Sequence, residues 1–238
     1  MQTFQAVKQV LMILTIGLGL AACATNRSVI PISAPVGEQP KSTSFAKITE
    51  VPDLRPFSIN PNNPSQPSIG NDADIQNAAV TSRAVARKRN SFGMAMGDVM
   101  LAENASVAGL VRASAKKALQ DKGYVVVDEG AANSANALSL AIDVEQFWSW
   151  MQPGFTTLTF TFNSTVILKD SGGLLLSDSS PVRSQAIVNS AFGTESIWAQ
   201  SVQNGVNNLT EDIKQSIKPA AAPPAISQSN PLSGMPGS

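Results

Sequence analysis

The chain has 238 residues with 17 basic and 17 acidic side chains, charged residues at 14% and aromatics at 5%. Balanced charge supplies no electrostatic pull toward nucleic acid, so no nucleic-acid partner is expected. Histidine is absent, which removes the commonest general base and transition-metal ligand; no cofactor, no metal and no enzymatic activity are expected.

In chain order, Lys8 and the uncharged run Val10 to Leu20 have the make-up of an export signal. A spanning helix needs roughly 18 or more apolar residues, and this run is too short. It ends in Leu20-Ala21-Ala22-Cys23, and Cys23 is the only cysteine. An ordinary secretory signal with an incidental thiol is one reading. The favoured reading is a bacterial lipobox, which these four residues resemble: cleavage falls between Ala22 and Cys23, and Cys23 is lipidated. Several acyl chains, at about 0.8 kcal/mol per buried CH2, make a stable anchor. Ala24 in place of Asp resembles the enterobacterial outer-membrane sorting pattern. The expected location is the outer membrane, lipid-anchored and facing the periplasm.

Residues 1–22 are thus read as signal peptide and 23–44, rich in Ser and Pro, as a flexible tether. Residues 45–217 form a single α+β domain, and 218–238 a disordered tail. Within the domain, Phe45, Ile48 and Val51 suggest a short strand. A proline-rich loop follows at about 55–71. Residues 72–90 are either a short helix, with Asp72 or Asp74 near its start and Arg87 to Arg89 at its end, or a mobile insertion. Asn104 to Lys122 is the clearest helix: Val107, Leu110, Val111, Ser114, Ala115, Ala118 and Leu119 make one stripe, with Asn104 or Ser106 to cap it and Gly123 to end it. The run "YVVVD" follows as a buried strand.

From Ala137 the period becomes two. Leu138, Leu140, Ile142, Val144, Trp148 and Trp150 share the inward parity, and Phe147 falls on the wet face. The run from Phe155 to Lys169 places Leu158, Phe160, Phe162, Val166 and Leu168 inward, making a long hairpin with its turn at "MQPG". Leu174 to Leu176 and Val182 to Val188 extend the meander. A second helix spans Thr194 to Ile217, with Trp198, Val202, Val206, Leu209, Ile213 and Ile217 on one face and Gly205 as a local weakness. The expected fold is α+β, a two-layer sandwich: a mostly antiparallel sheet of about 4–6 strands with two main helices on one face.

The lipobox, "ITEVPDLR", "RKRNSFGM", "VAGLVRASAKKALQDKGYVVV", "ALSLAIDVEQFW", "TFNSTVILKDSGGLLL" and "ESIWAQSVQNGVNNLTEDI" together resemble the YajG-like family of uncharacterised bacterial lipoproteins. The resemblance implies a cell-envelope lipoprotein with no established biochemical activity.

Ser114-x-x-Lys117 has the spacing of a serine–lysine nucleophile pair, but it lies mid-helix and reads as packing. Asp143 and Glu145 share a strand face and read as solvated charges; Asp170, Asp178 and Glu195 lack calcium-loop spacing. The basic residues Arg83, Arg87, Lys88 and Arg89 either touch anionic head groups or peptidoglycan, or form a solvated helix end. Phe147, Trp148, Trp150 and Met151 cluster at the hairpin tip, as core or as a partner-binding or lipid-touching knob. The leading expectation is a non-catalytic accessory lipoprotein that binds an envelope protein partner. The alternative is a ligand-binding or lipid-transport auxiliary with an apolar groove between helices and sheet.

Overall fold

A computed structural model describes residues 27–59, 61–90, 92–178 and 181–221. The export signal, Ala22, Cys23 and the tail from residue 222 lie outside the described residues. The strands are β1 Ser28–Ile30, β2 Phe45–Ile48, β3 Ala84–Arg89, β4 Ala95–Leu101, β5 Val125–Val126, β6 Leu138–Pro153, β7 Leu158–Asp170 and β8 Val182–Ser190. The helices are α1 Asp72–Ile75, α2 Ala78–Thr81, α3 Val107–Asp121 and α4 Glu195–Ser216.

Strand β6 is the axis of the sheet. One edge pairs antiparallel with β7 along its length, Leu140 opposite Asp170 and Pro153 opposite Leu158, and β7 pairs with β8. The other edge is shared. Its first part takes β2 in parallel, and residues 49–54 continue alongside, with the Thr49 amide donating to the Leu140 carbonyl and the Leu54 amide to Val144, both at 2.9 Å. Its last part takes β3, Ala86 opposite Ser149, with β4 and then β1 beyond. The eight-stranded sheet is mixed, so the expected four to six mostly antiparallel strands are corrected upward. Pairings β1–β4, β2–β5, β2–β6 and β3–β6 are parallel.

The long helices match their periodicity. All seven stripe residues of α3 are buried, Ser106 accepts from the Gly109 amide at 3.1 Å, and Gly123 takes φ +89 after the helix. In α4, Trp198, Val202, Val206, Leu209 and Ile213 are buried against the sheet, and Trp198 meets Phe160 edge-on at 4.8 Å. Gly205 is no weakness. A Cβ there would sit 2.0 Å from Phe162 Cδ1, so its bareness is what lets helix and sheet approach.

The 72–90 segment resolves into α1, α2 and β3, so Arg87, Lys88 and Arg89 lie on a strand and not at a helix end. The hairpin turn to β4 explains this: Asn90 Oδ1 accepts from the amides of Phe92 (3.0 Å) and Met94 (2.9 Å), and Gly93 takes φ +80. Val125 and Val126 of β5 are only half-buried, because this two-residue strand is an edge.

Within β6 the register shifts between Val144 and Gln146. The extra residue reverses the parity beyond it. Phe147, expected on the wet face, is fully buried in the main core and stacks edge-on with Phe162 at 4.8 Å. Trp148 and Trp150, expected under the long helices, face the opposite side. There they pack with Ile69, Ala84 and Met100 beneath Phe57, Ile75 and Val80. That second core is the work of the proline-rich loop with α1 and α2, so the sheet is covered on both faces at this end.

Residues 27–44 are not the free tether expected. Ile30 is fully buried on β4. The backbone of Ser33 exchanges two hydrogen bonds with the Gln203 side chain on α4 (2.8 and 3.1 Å), and Gln39 does the same with the backbone of Val126 (2.8 and 3.1 Å). Likewise the start of the expected tail is attached: the Lys218 amide donates to Leu175 and the Ala220 amide to Lys122, both at 2.8 Å. Composition shows no period in these strips, but isolated residues dock onto surfaces built by the rest of the chain.

Where a strand was expected at Leu174 to Leu176, the chain is a loop tied to Asp170. The Asp170 carboxylate accepts from the amides of Gly172 (3.0 Å), Leu175 (2.6 Å) and Leu176 (3.4 Å). Partial burial works against its charge, but the amides of Gly172, Leu175, Leu176 and Leu174 outweigh it and hold the carboxyl below the usual carboxylate range. A depressed folded pKa gives stability that is complete above the unfolded value, roughly 3.9, and lost as pH falls through the lower folded value. Asp170→Asn should therefore cost about 1–2 kcal/mol near neutral pH. In urea titrations the difference from the parent chain should shrink below about pH 4.

Candidate functional site

The sheet ends at three turns that share one side of the molecule. Strands β3 and β6 run parallel toward it, so the β3–β4 turn (90–94) lies beside the β6–β7 turn (154–157). Strand β8 ends opposite Leu158, which brings the loop 191–194 and the first turn of α4 to the same side. Between the β3–β4 turn, the end of β6 and residues 61–64 of the proline-rich loop opens a cleft of about 670 Å³, lined by Pro61, Arg89, Phe92, Met94, Met151 and Pro153 among others. A second cavity of about 300 Å³ adjoins it across Arg89 and Met151 and is lined by Ser28, Lys88, Met96, Glu195 and Trp198. Met94 and Met151 in the cleft, and Met96 with Met151 in the second cavity, give an apolar wall that can re-form around different shapes.

The predicted basic residues prove to be tied into the fold. Arg83 donates to the Leu101 carbonyl from Nε (3.0 Å) and Nη2 (2.8 Å). Arg87 is buried opposite Asp98, with 3.5 Å between Nη1 and Oδ1. Lys88 donates to Ser28 Oγ at 3.0 Å. Arg89 donates to the Gly93 carbonyl at 3.0 Å and to Ser68 Oγ at 3.4 Å. Burial first and the neighbouring Arg87 second lower the Arg89 pKa, yet a guanidinium stays charged. Of the four, Arg89 lines the cleft and Lys88 with Arg89 lines the second cavity, so the four do not share one surface. Of the aromatic group, only Met151 lines the cleft; Phe147, Trp148 and Trp150 are buried, so they do not form an exposed knob.

Ser114 is fully buried on the packed stripe of α3, and Lys117 bonds Asp121 at 2.6 Å one turn on. Asp143 pairs with Lys169, whose pKa rises chiefly through that hydrogen bond, while Glu145 is exposed at the bulge. Among the described residues no group of three or more acidic, Cys or His side chains could hold a metal ion. No described helix is long and apolar enough to cross a membrane.

Sequence reasoning missed Arg55. It donates from Nε and Nη2 to the two oxygens of Asp53, each at 2.7 Å, and from Nη1 to the carbonyls of Ala84 (2.7 Å) and Phe147 (3.1 Å). A further bond from Nη2 reaches Thr81 at 2.8 Å, and the guanidinium lies 5.0 Å from the Phe57 ring centre. It closes the gap along β6 between residues 49–54 and β3. Its signal was present as an Asp-x-Arg directly before proline, but that spacing alone names no partner carbonyl.

The sheet also presents one long outer edge, along which Asn208 of α4 donates from Nδ2 to the Gln185 carbonyl at 2.7 Å. Among the described residues β8 pairs only with β7, and its nine residues alternate buried and exposed, with Arg183 the single charge. The other outer strands, β1 and β5, have three and two residues.

No family model matches the chain, and no curated protein does. Solved structures give distant likenesses. A DUF330 protein from Xanthomonas campestris is 15% identical at a TM-score of 0.41, covering 79% of this chain and 93% of its own. An uncharacterised protein is 8% identical at 0.37, over 79% of this chain and 98% of its own. A minor lipoprotein from Acinetobacter baumannii is 14% identical at 0.31, over 46% of this chain and 87% of its own. Scores this low carry no argument about role.

Proposed function

We propose that the protein is an outer-membrane lipoprotein, anchored through acyl chains on Cys23, that serves as a non-catalytic accessory by binding an envelope protein through the β8 edge. The lipobox and the resemblance to YajG-like lipoproteins support the anchor. The observation that carries the binding mode is the nine-residue edge with one charge. Apart from the Gln185 carbonyl, which Asn208 of α4 occupies, such an edge offers backbone donors and acceptors to an incoming strand, and single-chain proteins ordinarily blunt it with charges, bulges or proline.

A photo-crosslinker replacing exposed Gln185 in whole cells should trap one envelope protein. Ile187→Lys, at a site 55% exposed, should leave stability within about 0.5 kcal/mol while abolishing that adduct. No adduct, or an adduct indifferent to Ile187→Lys, would reject edge docking. For the anchor, Cys23→Ala should block acylation, read by mass spectrometry of the purified chain.

The cleft supports a second reading, a ligand-binding or lipid-transport auxiliary. Its groove would not lie between helices and sheet, where Gly205 and Phe162 are already in contact, but at the loop end beside Met94, Met96 and Met151.

A further inference from the structure

The described residues contain three exposed phenylalanines, and each lies on a different turn at the same end of the sheet. Phe92 is 86% exposed on the β3–β4 turn, Phe155 105% on the β6–β7 turn and Phe192 73% after β8; Met94, at 62%, stands beside Phe92. Every other described phenylalanine is at least half-buried. Large apolar side chains grouped on separate loops, with no packing partner of their own, mark a surface that meets something apolar.

The chain's entry point says what that is. Strand β1 runs parallel to β4, and β4 leaves the Phe92 turn, so the chain reaches Ser28 from the side of that turn. Arg27 is held there by ion pairs to Asp74 and to Asp98, the latter at 3.2 Å. Only residues 24–26 lie between Cys23 and Arg27. At most ~3.6 Å per residue, the Cα of Cys23 lies within about 15 Å of that of Arg27. A domain whose acylated residue is this close cannot stand off from the bilayer, and the end nearest the anchor is the one carrying the phenylalanines.

We propose that Phe92, Phe155 and Phe192, with Met94, form a lipid-contacting face that seats the domain directly on the membrane interface. The proposal rests on acylation at Cys23. Three shallow aromatic contacts fix the orientation that a flexible acyl anchor would leave free, and they leave the β8 edge standing sideways from the membrane. Arg89 and Lys88 line the smaller cavity beside Gly193 and Thr194, where lipid phosphates would approach.

The test uses the mature lipoprotein in vesicles of phosphatidylethanolamine and phosphatidylglycerol. Thioether formation consumes Cys23, so Phe155→Cys or Phe192→Cys supplies a single thiol for an environment-sensitive fluorophore. Leu174→Cys serves as control, because that residue is 61% exposed at the far end of β7. Labels at 155 and 192 should be blue-shifted and quenched severalfold by lipids spin-labelled near the head group, and the label at 174 should not. In the chain labelled at 155, Phe92→Ser with Phe192→Ser should remove most of that quenching. If 155 and 192 behave like 174 in a chain shown by mass spectrometry to be acylated, the seat is overturned while the anchor stands. If mass spectrometry finds Cys23 unmodified, both the anchor and the seat fall.

Discussion

Asp53→Ala should cost about 3–5 kcal/mol of folding stability, measured as a fall in the urea midpoint at unchanged slope. The Arg55 side chain is wholly buried, and among the described residues Asp53 supplies its only charged partner, bidentate at 2.7 Å. Removing the carboxylate leaves a guanidinium in the interior with carbonyl oxygens alone. Arg55→Lys should also destabilise the chain, because an ammonium has three donors and cannot reproduce a planar fork that bonds Asp53, Thr81, Ala84 and Phe147 together. The damage should be local at first. Arg55 joins the proline-rich loop to β3 and β6, so the tryptophans beneath that loop should report early. A red shift and stronger quenching of Trp148 and Trp150 in Asp53→Ala, before loss of helical signal, would mark the second core as the part that opens. A variant as stable as the parent would show that this buried pair contributes little.

Gly205→Ala is the second large effect, and its direction opposes helix propensity. In an exposed helix interior the change would stabilise by about 1 kcal/mol. Here the new methyl meets Phe162 Cδ1 at 2.0 Å and Cε1 at 2.4 Å, against a ring that is fully buried and stacked on Phe147. Helix α4 must lift or the ring must leave its rotamer, at a net cost of about 1–3 kcal/mol. A lifted helix would also part Ser201 Oγ from Ser149 Oγ, now 3.0 Å away. Phe162→Leu added to Gly205→Ala should recover part of the loss in a double-mutant cycle. Additive losses would show that the two positions do not touch.

Two-state periodicity carried the sequence reading far where a segment has one dry face. Helices α3 and α4 and strand β7 are of that kind, and their stripe residues are buried, Leu158 only half so, while Thr161 of β7, expected outward, is buried as well. It failed where both faces are covered. Phe147, Trp148, Ser149 and Trp150 are four consecutive buried residues, and no alternation can assign such a run to one side. One inserted residue upstream had already exchanged the faces. Strand β3 was missed for a related reason: Arg87, Lys88 and Arg89 read as solvent-facing, yet Arg87 is buried beside Asp98 on the neighbouring strand.

By itself, then, the sequence determined what is local: the lipobox pattern around Cys23, two amphipathic helices with their caps, and a long hairpin. Helix and hairpin signals depend on neighbours within a few residues, so one strand of text contains them. Only the tertiary structure decided how far the domain reaches toward its anchor, because Ile30, Arg27 and Ser33 find their partners 47 to 170 positions away. It likewise gathered Phe92, Phe155 and Phe192, each unremarkable in its own turn, onto one end. Their proximity follows from strand direction and register, which long-range pairing sets and composition does not record.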